Sequence, residues 1–351
     1  MQDERVFLPE DAPDELYEKR FYTIDKGQEP MRIDKWLQAR IEGATRNKIQ
    51  RDIENGFLIV NGIPVKSNYR IKPGDNVLLM SFLTPEYSEI IPEGDIPLNI
   101  VYEDDAIMVV YKPKDMVVHP AIGNFTGTLL NAVAYHYKKQ DPTLNEDELP
   151  RFGLVHRIDK NTTGLMVLAK TAYASSHLAQ QFFNHTVQRK YVALVWGNVE
   201  KDSGTITGNI ARHHQFRKMF TVYPDGETGK HAVTHYRVLE RFNYTTLVEC
   251  VLETGRTHQI RVHMKYIGHT LFNDWEYGGD KILKGTIYTK YKQFVDNCFE
   301  ACPRCALHAK TLGFIHPMTD KEMFFDSELP DDMKAVTDKW RKYSQNKHFN
   351  E

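Results

Sequence analysis

The hydrophobic pattern changes period along the chain. In MRIDKWLQARIEG (31–43) the apolar residues Ile33, Trp36, Leu37 and Ile41 recur at helical spacing and share one face. Thr45 stands where a second helix over 46–54 would be capped, and Gly56 where it would end. The period then shortens to two. FLIVNGIPV (57–65) predicts a hairpin turning at Asn61 and Gly62, a pair that supplies the positive φ angles of a type I′ turn. KPGD (72–75) predicts another turn before a last strand.

From Ile100 onward strand and helix patterns mix. IVYEDDAIMVVYKP (100–113) predicts two strands about an acidic turn, and TGTLLNAVAYHYKK (126–139) a helix. KKQDPTLNEDELPRFG (138–153) reads as a charged loop. FGLVHRID (152–159) and GLMVLAK (164–170) read as buried strands joined by the turn KNTTG. TAYASSHLAQQFFNH (171–185) predicts a second helix, RKYVALVWGNV (189–199) a strand, and HAVTHYRVLERFNYTTLVECVLET (231–254) two paired strands. No regular β-α-β rhythm emerges, so the expected class is α+β with a largely antiparallel sheet. The expected organisation is an acidic arm or edge strand over 1–30, a small unit over 31–80, a proline-bearing linker over 81–99 and a large domain over 100–340.

Composition changes the picture only locally. The chain has 351 residues and a net charge of -2, with 41% hydrophobic residues, enough for a sizeable core. Yet 31–79 carries nine basic and five acidic residues, a net of +4, so positive charge is concentrated there. Arg32, Arg46, Lys48, Arg51 and Lys66 lie on or beside its helices. No apolar run reaches membrane-spanning length and no signal-peptide core opens the chain, so the expected compartment is the cytoplasm. Four cysteines make no disulfide framework. Cys302 and Cys305 form one CPRC without a second pair; even with His308 and His316 nearby, reduced thiols are the expectation and no metal is assigned.

The concentrated chemistry is in HRIDKN (156–161). Asp159 falls on a loop between two predicted buried segments, where a carboxylate is either paired structurally with Arg157 or Lys160, or used. The spacing is not that of a kinase catalytic loop, and glycine-rich phosphate loops and metal-binding HExxH patterns are absent from the sequence. Asp159 would then act as a nucleophile or in proton transfer. His156 could orient the loop by hydrogen bonding.

Two resemblances sharpen this. Residues 31–79 resemble the S4-type RNA-binding domain, whose basic residues near a TR-x-KI position grip RNA phosphates. GLVHRIDKNTTGLMVLAKT (153–171) resembles the signature of the RluA/RluD family of pseudouridine synthases, with an HR-[LI]-D segment holding the catalytic aspartate. Further segments agree in the family's order: 103–120, RKYVALVWG (189–197), ETGRTHQIRVHMKYIGHTLFND (253–274) and CALHAKTLGFIHP (305–317). The resemblance covers roughly residues 31 to 325. It implies an RNA pseudouridine synthase without cofactor. Asp159 would be the nucleophile, Tyr191 the ring packed on the target uracil, and Arg261 the partner of Asp159. Arg157 would fill the space left by the flipped uridine.

Arg212, Arg217 and Lys218, in HHQFRKM and its flank, would grip an RNA stem; the family's HP-x-DR-x-KM is altered here. That departure bears on substrate preference. YKPKD (111–115) replaces the common NKPAG, and Cys305 stands where glutamine is common. The implied partner is large-subunit ribosomal RNA, with transfer RNA as the alternative, and the chain is expected to act as a monomer away from membranes. A catalytically idle RNA-binding factor on the same scaffold is the competing reading. An unrelated glycosidase ranks last, because no motif places a second carboxylate beside Asp159.

Overall fold

In a computed structural model the described residues are 17–41, 46, 49, 50, 53, 58–82, 90–120, 124–144, 149–216 and 219–347. Thr45, Lys48, Arg51, Gly56, Arg217 and Lys218, residues 1–16 of the expected arm and 83–89 of the expected linker lie outside them. The chain forms two sheets. The smaller has four antiparallel strands in the order β1-β4-β2-β3: β1 Tyr17–Thr23, β2 Leu58–Val60, β3 Ile63–Pro64 and β4 Asn76–Phe82. Asn61 and Gly62 carry φ of 51° and 82° between β2 and β3, as the Asn-Gly pair requires.

The helix α1 (Ile33–Gln38) is shorter than the apolar periodicity implies. Ile33, Trp36 and Leu37 are buried within it; Ile41 reaches the same cluster from beyond its end, with Ile49, Ile53, Ile71 and Val77. Residues 17–23 of the expected arm are strand β1, an integral part of this sheet, because Tyr22 packs edge-on against Trp36 at 5.3 Å.

The larger sheet has ten strands: β5 Ile100–Glu103, β6 Ile107–Lys112, β7 Thr163–Ala169, β8 Gln188–Trp196, β9 Ser203–Arg212, β10 Phe220–Tyr223, β11 Lys230–Arg241, β12 Thr245–Leu252, β13 Leu307–Ile315 and β14 Glu322–Asp326. The order is β10-β9-β11-β12-β8-β13-β7-β6-β5, with β14 beside β13. Only the β13–β7 pairing among these is parallel. The class is therefore the expected α+β with antiparallel dominance. The large unit also contains helices α2 (Leu129–Gln140), α3 (Ala172–Phe183), α4 (Gln259–Tyr266), α5 (Thr289–Ala301) and α6 (Asp331–Lys347). Thr128 and Thr171 cap α2 and α3 through their side-chain oxygens. The last of the helices, α6, continues to Lys347.

β8 is central and buried on both faces, which explains its unbroken apolar run. Tyr191, Ala193 and Val195 join the main core, while Val192, Leu194 and Trp196 join a second cluster with α5 and α6. Residues 90–99 pack onto the large unit rather than tethering it loosely: Ile90 is buried and the Asn131 side chain donates to the Ile91 carbonyl at 2.8 Å.

One predicted strand is absent. FGLVHRID is an irregular segment, touching the sheet through the single bridge Leu154–Leu168. Arg151, Phe152 and Gly153 all have positive φ, so the chain turns sharply just where a strand would begin. Its apolar residues are buried all the same, which is why periodicity read it as a strand. Glycine is obligatory at two points around it. At Gly153, with φ +75°, a Cβ would lie 1.9 Å from the Ala169 carbonyl oxygen; at Gly164, with φ +121°, 2.1 Å from that of Ala309.

Gly164→Ala is expected to destabilise the protein by about 3 kcal/mol or more, since both the backbone angle and the β7–β13 contact oppose a methyl group. Chemical denaturation checks this, and an unshifted midpoint would contradict the tight strand contact.

Candidate active site

The loop carrying Asp159 has no strand ladder, so its backbone groups need other partners. Two buried side chains, Lys112 and Arg304, supply them, and a third, His156, ties the loop to β7. His156, stacked on Phe182 at 4.4 Å, accepts a hydrogen bond at Nε2 from the Val167 amide at 3.0 Å. Burial and the nearby Arg189 push His156 down to about 3, so it is a neutral acceptor that pins the loop to β7. Lys112, at the end of β6, donates to the carbonyls of Pro113, Met116 and Lys160 at 2.8 to 2.9 Å. Burial pulls Lys112 down to about 7 while Asp159 acts the other way, and the three acceptors use all three donors of an ammonium group. Arg304, 2% exposed, donates to the Asn161 carbonyl at 2.9 Å and is gripped by Asp332.

Asp159 is thus presented from a fixed backbone. Arg261, projecting from α4, reaches it with Nη1 at 3.2 Å. The same guanidinium gives Nε and Nη2 to the two oxygens of Asp274 at 2.7 Å each, and Nη2 also reaches Glu276. His258, with φ of 57° just before α4, places Nε2 3.9 Å from Asp159 and Nδ1 4.0 Å from Glu276. The Tyr277 hydroxyl fixes that ring at 2.8 Å, and the Tyr277 ring lies under the Arg261 guanidinium at 4.8 Å. Burial alone would raise the Asp159 carboxyl; His258, Arg261 and Arg157 outweigh it and hold it below its usual range. Asp159 is therefore ionised in a largely enclosed place. Burial likewise works against the Arg261 charge, but its bonds to Asp274 prevail and keep it a cation.

Tyr191 projects from β8 into the same cavity of about 90 Å³, lined also by Asp159, Phe182, Arg189, His258 and Arg261. Burial pushes the Tyr191 phenol up, against Arg189 and with Asp159, so it stays protonated. A cleft of about 370 Å³ adjoins it, where Arg157, Arg212, Lys230 and Arg256 stand around Asp159. The site therefore offers an ionised carboxylate, a phenol and a flat ring beside a strongly cationic approach.

The sequence-predicted residues divide clearly. Asp159, Tyr191 and Arg261 meet, and Arg157 and Arg212 line the approach. Arg32 and Arg46 belong to the small sheet's unit, where both bind the fully buried Asp34, at 2.9 and 3.1 Å. Burial would raise the Asp34 carboxyl, but Arg32, Gln50, Arg46 and the Lys35 amide hold it well below its usual range. Arg32 and Arg46 are thus structural ion-pair partners that still expose 40% and 42% of their side chains. Lys66 is exposed between β3 and β4. Asp159 pairs with Arg261 across 102 positions instead of with its neighbour Lys160.

Sequence reading missed Lys112, Arg189, His258, Asp274, Glu276 and Arg304. A lysine closing the apolar run IMVVYK was the one local signal, since a strand core rarely tolerates an unpartnered ammonium. The CPRC thiols take protein partners: Cys305 donates to Asp274 at 3.4 Å and Cys302 to the Arg304 carbonyl at 3.7 Å.

Residues 106–266 match the family model described as RNA pseudouridylate synthase, and residues 31–77 match the S4 domain. A protein of Chlorobaculum parvum described as an uncharacterized RNA pseudouridine synthase is 47% identical over 319 residues, covering 91% of this chain and 96% of that one. The ribosomal large subunit pseudouridine synthase D of Vibrio parahaemolyticus is 40% identical over 321 residues, covering 91% and 94%. In fold, the chain is similar to the solved human RNA pseudouridylate synthase domain containing 4, with TM-score 0.55 and 24% identity over 69% of this chain and 93% of that one.

The charges around Asp159 make a titration prediction. A carboxyl held low stays ionised as pH falls through the ordinary value of about 3.9. Its contribution to stability is therefore present above that value and lost as pH falls through the lower folded one. In carbon-13 spectra of aspartate-labelled protein, Asp159 should titrate below the ordinary range, and His258→Gln should move it upward. A midpoint that ignores His258 would remove that residue from the electrostatics of the site.

Proposed function

The chain belongs to the RNA pseudouridylate synthase family and is an RNA pseudouridine synthase with an S4 domain, and from that premise we propose that Asp159 is its nucleophile and large-subunit ribosomal RNA its substrate. The supporting observation is the ionised Asp159, held by Arg261 beside the buried ring of Tyr191. Isomerisation breaks the bond from uracil N1 to the ribose, joins the ribose to C5, removes the C5 proton and protonates N1. No electrons enter or leave, so a nucleophile and proton transfer suffice. Asp159 attacks and later departs. The Tyr191 ring supports the base, and its phenol is a proton donor and acceptor at hydrogen-bonding range of the cavity.

A uridine in folded RNA must leave its stack to reach this cavity. Arg157, exposed at the mouth beside Asp159, is placed to occupy the gap it leaves. Arg212, Lys230 and Arg256 neutralise phosphates along the approach, giving affinity without sequence readout. Lys66 adds a phosphate contact from the small unit. The ribosomal assignment follows from the relative of Vibrio parahaemolyticus, whose name gives the large ribosomal subunit as its target. No helix of the described residues is long and apolar enough to cross a membrane. The reading is completed by a monomer acting on RNA in the cytoplasm.

Asp159→Asn should lower pseudouridine formation by at least about a thousandfold, the scale of losing a nucleophile, while RNA binding persists. The assay is carbodiimide primer extension on ribosomal RNA from cells lacking the protein, complemented with wild type or variant. Stops restored by Asp159→Asn would refute the nucleophile assignment; an unchanged ribosomal map would move the substrate to transfer RNA. Separately, Lys66→Ala should weaken binding and reduce the slope of log affinity against log salt by about 1. A slope equal to that of wild type would take Lys66 off the RNA.

A further inference from the structure

Of the chain's four tryptophans, Trp36, Trp196 and Trp340 are 2%, 0% and 0% exposed, whereas Trp275 is 62% exposed. Trp275 lies between Asp274 and Glu276, and both neighbours bind the guanidinium that holds Asp159. It is therefore one residue from each carboxylate that anchors Arg261, while its own side chain is exposed. Among the described residues it takes part in none of the ring or cation–π contacts.

The turn that presents it is rigid. The Asn273 amide donates to the Gly279 carbonyl at 3.0 Å, and the Gly279 amide to the Asp274 carbonyl at 2.7 Å. The buried Trp196 indole donates to the same Gly279 carbonyl at 2.8 Å, and the Asn273 side chain to the Cys302 carbonyl at 2.8 Å. Gly279 tolerates no side chain, because a Cβ would sit 1.9 Å from the Leu271 carbonyl oxygen. A large apolar ring is thus held out to water on a backbone with little freedom to fold it away. Contact on such a ring costs little ordering, which favours a flat partner.

We propose that Trp275 is a stacking platform for an unpaired RNA base next to the target uridine, an inference that rests on the function proposed above. Flipping a uridine strips its neighbour of one stacking face, and an exposed indole on the turn that anchors Arg261 replaces it. Every base has a π face, so the platform fixes the strand without reading its sequence. The cationic cleft of Arg157, Arg212, Lys230 and Arg256 around Asp159, to which Arg261 links this turn, is the reason to assign RNA to Trp275 ahead of a protein.

The burial of the other three tryptophans makes the test selective: a change of indole emission on RNA binding reports Trp275. Asp159→Asn protein, which binds without turnover, is titrated with ribosomal RNA fragments. Emission should fall on binding, and Trp275→Phe should remove that signal while retaining most of the affinity. Trp275→Ala in the otherwise native chain should weaken binding and raise KM by about tenfold, with a smaller loss in kcat. An RNA that is isomerised by wild type yet leaves the emission unchanged, or is bound equally well by Trp275→Ala, would overturn the platform and leave this surface to a protein partner. Emission quenched by an RNA that wild type never isomerises would instead count against the substrate assignment, so the two failures are distinguishable.

Discussion

One guanidinium organises the catalytic half of this protein. Arg261 divides its donors unequally: Nε and Nη2 lock onto the fully buried Asp274, and Nη1 is left for Asp159. The division matters because Asp159 and Asp274 make different demands. Asp274 has no exposure and must be fully paired to exist as a charge. Asp159 takes one bond of 3.2 Å from the guanidinium, which together with His258 and Arg157 keeps it ionised while an oxygen remains uncommitted to Arg261. A lysine could not divide itself this way, because its ammonium lacks the planar fork. Glu276 and His258 extend the cluster, with the His258 ring between the carboxylates of Asp159 and Glu276.

The rest of the site is built on the same economy of buried charge. The irregular segment 154–162 lacks a ladder, and Lys112 and Arg304 take over by donating to the carbonyls of Lys160 and Asn161 on the far side of Asp159. Each cation is nearly or fully buried, and each is satisfied by several oxygens, the condition under which a buried charge is tolerated. Asp332 at the start of α6 thereby becomes part of the site's foundation through Arg304. In the small unit the signs are reversed: a buried carboxylate, Asp34, gathers Arg32, Arg46 and Gln50.

The function proposed above divides RNA recognition into two tasks. Cations along the cleft would act on phosphates, whose spacing is the same in every sequence. The enclosed cavity lined by Tyr191 and, in the further proposal, the exposed ring of Trp275 would act on bases. Rigid presentation serves both, since a base removed from its stack must meet a surface already in place.

Local sequence determined much of this protein. Unbroken or alternating apolar runs marked β5 to β8, β11 and β12 of the large sheet, Asn61-Gly62 fixed a hairpin, and threonines capped two helices, all through forces acting over a few residues. The motifs that resemble the family's also singled out Asp159, Tyr191 and Arg261, and the fold brings these three to one cavity. Tertiary structure alone decided what surrounds them. LVHRI has the composition of a strand, yet the positive φ angles at 151–153 turn it into a loop. Arg32 and Arg46 have the composition of an RNA grip, yet a buried Asp34 claims both. Asp274, Glu276, His258, Lys112 and Arg304 act across pairings of 13 to 143 positions in sequence. Such partners are chosen by which charges burial leaves facing one another, and no local pattern records that.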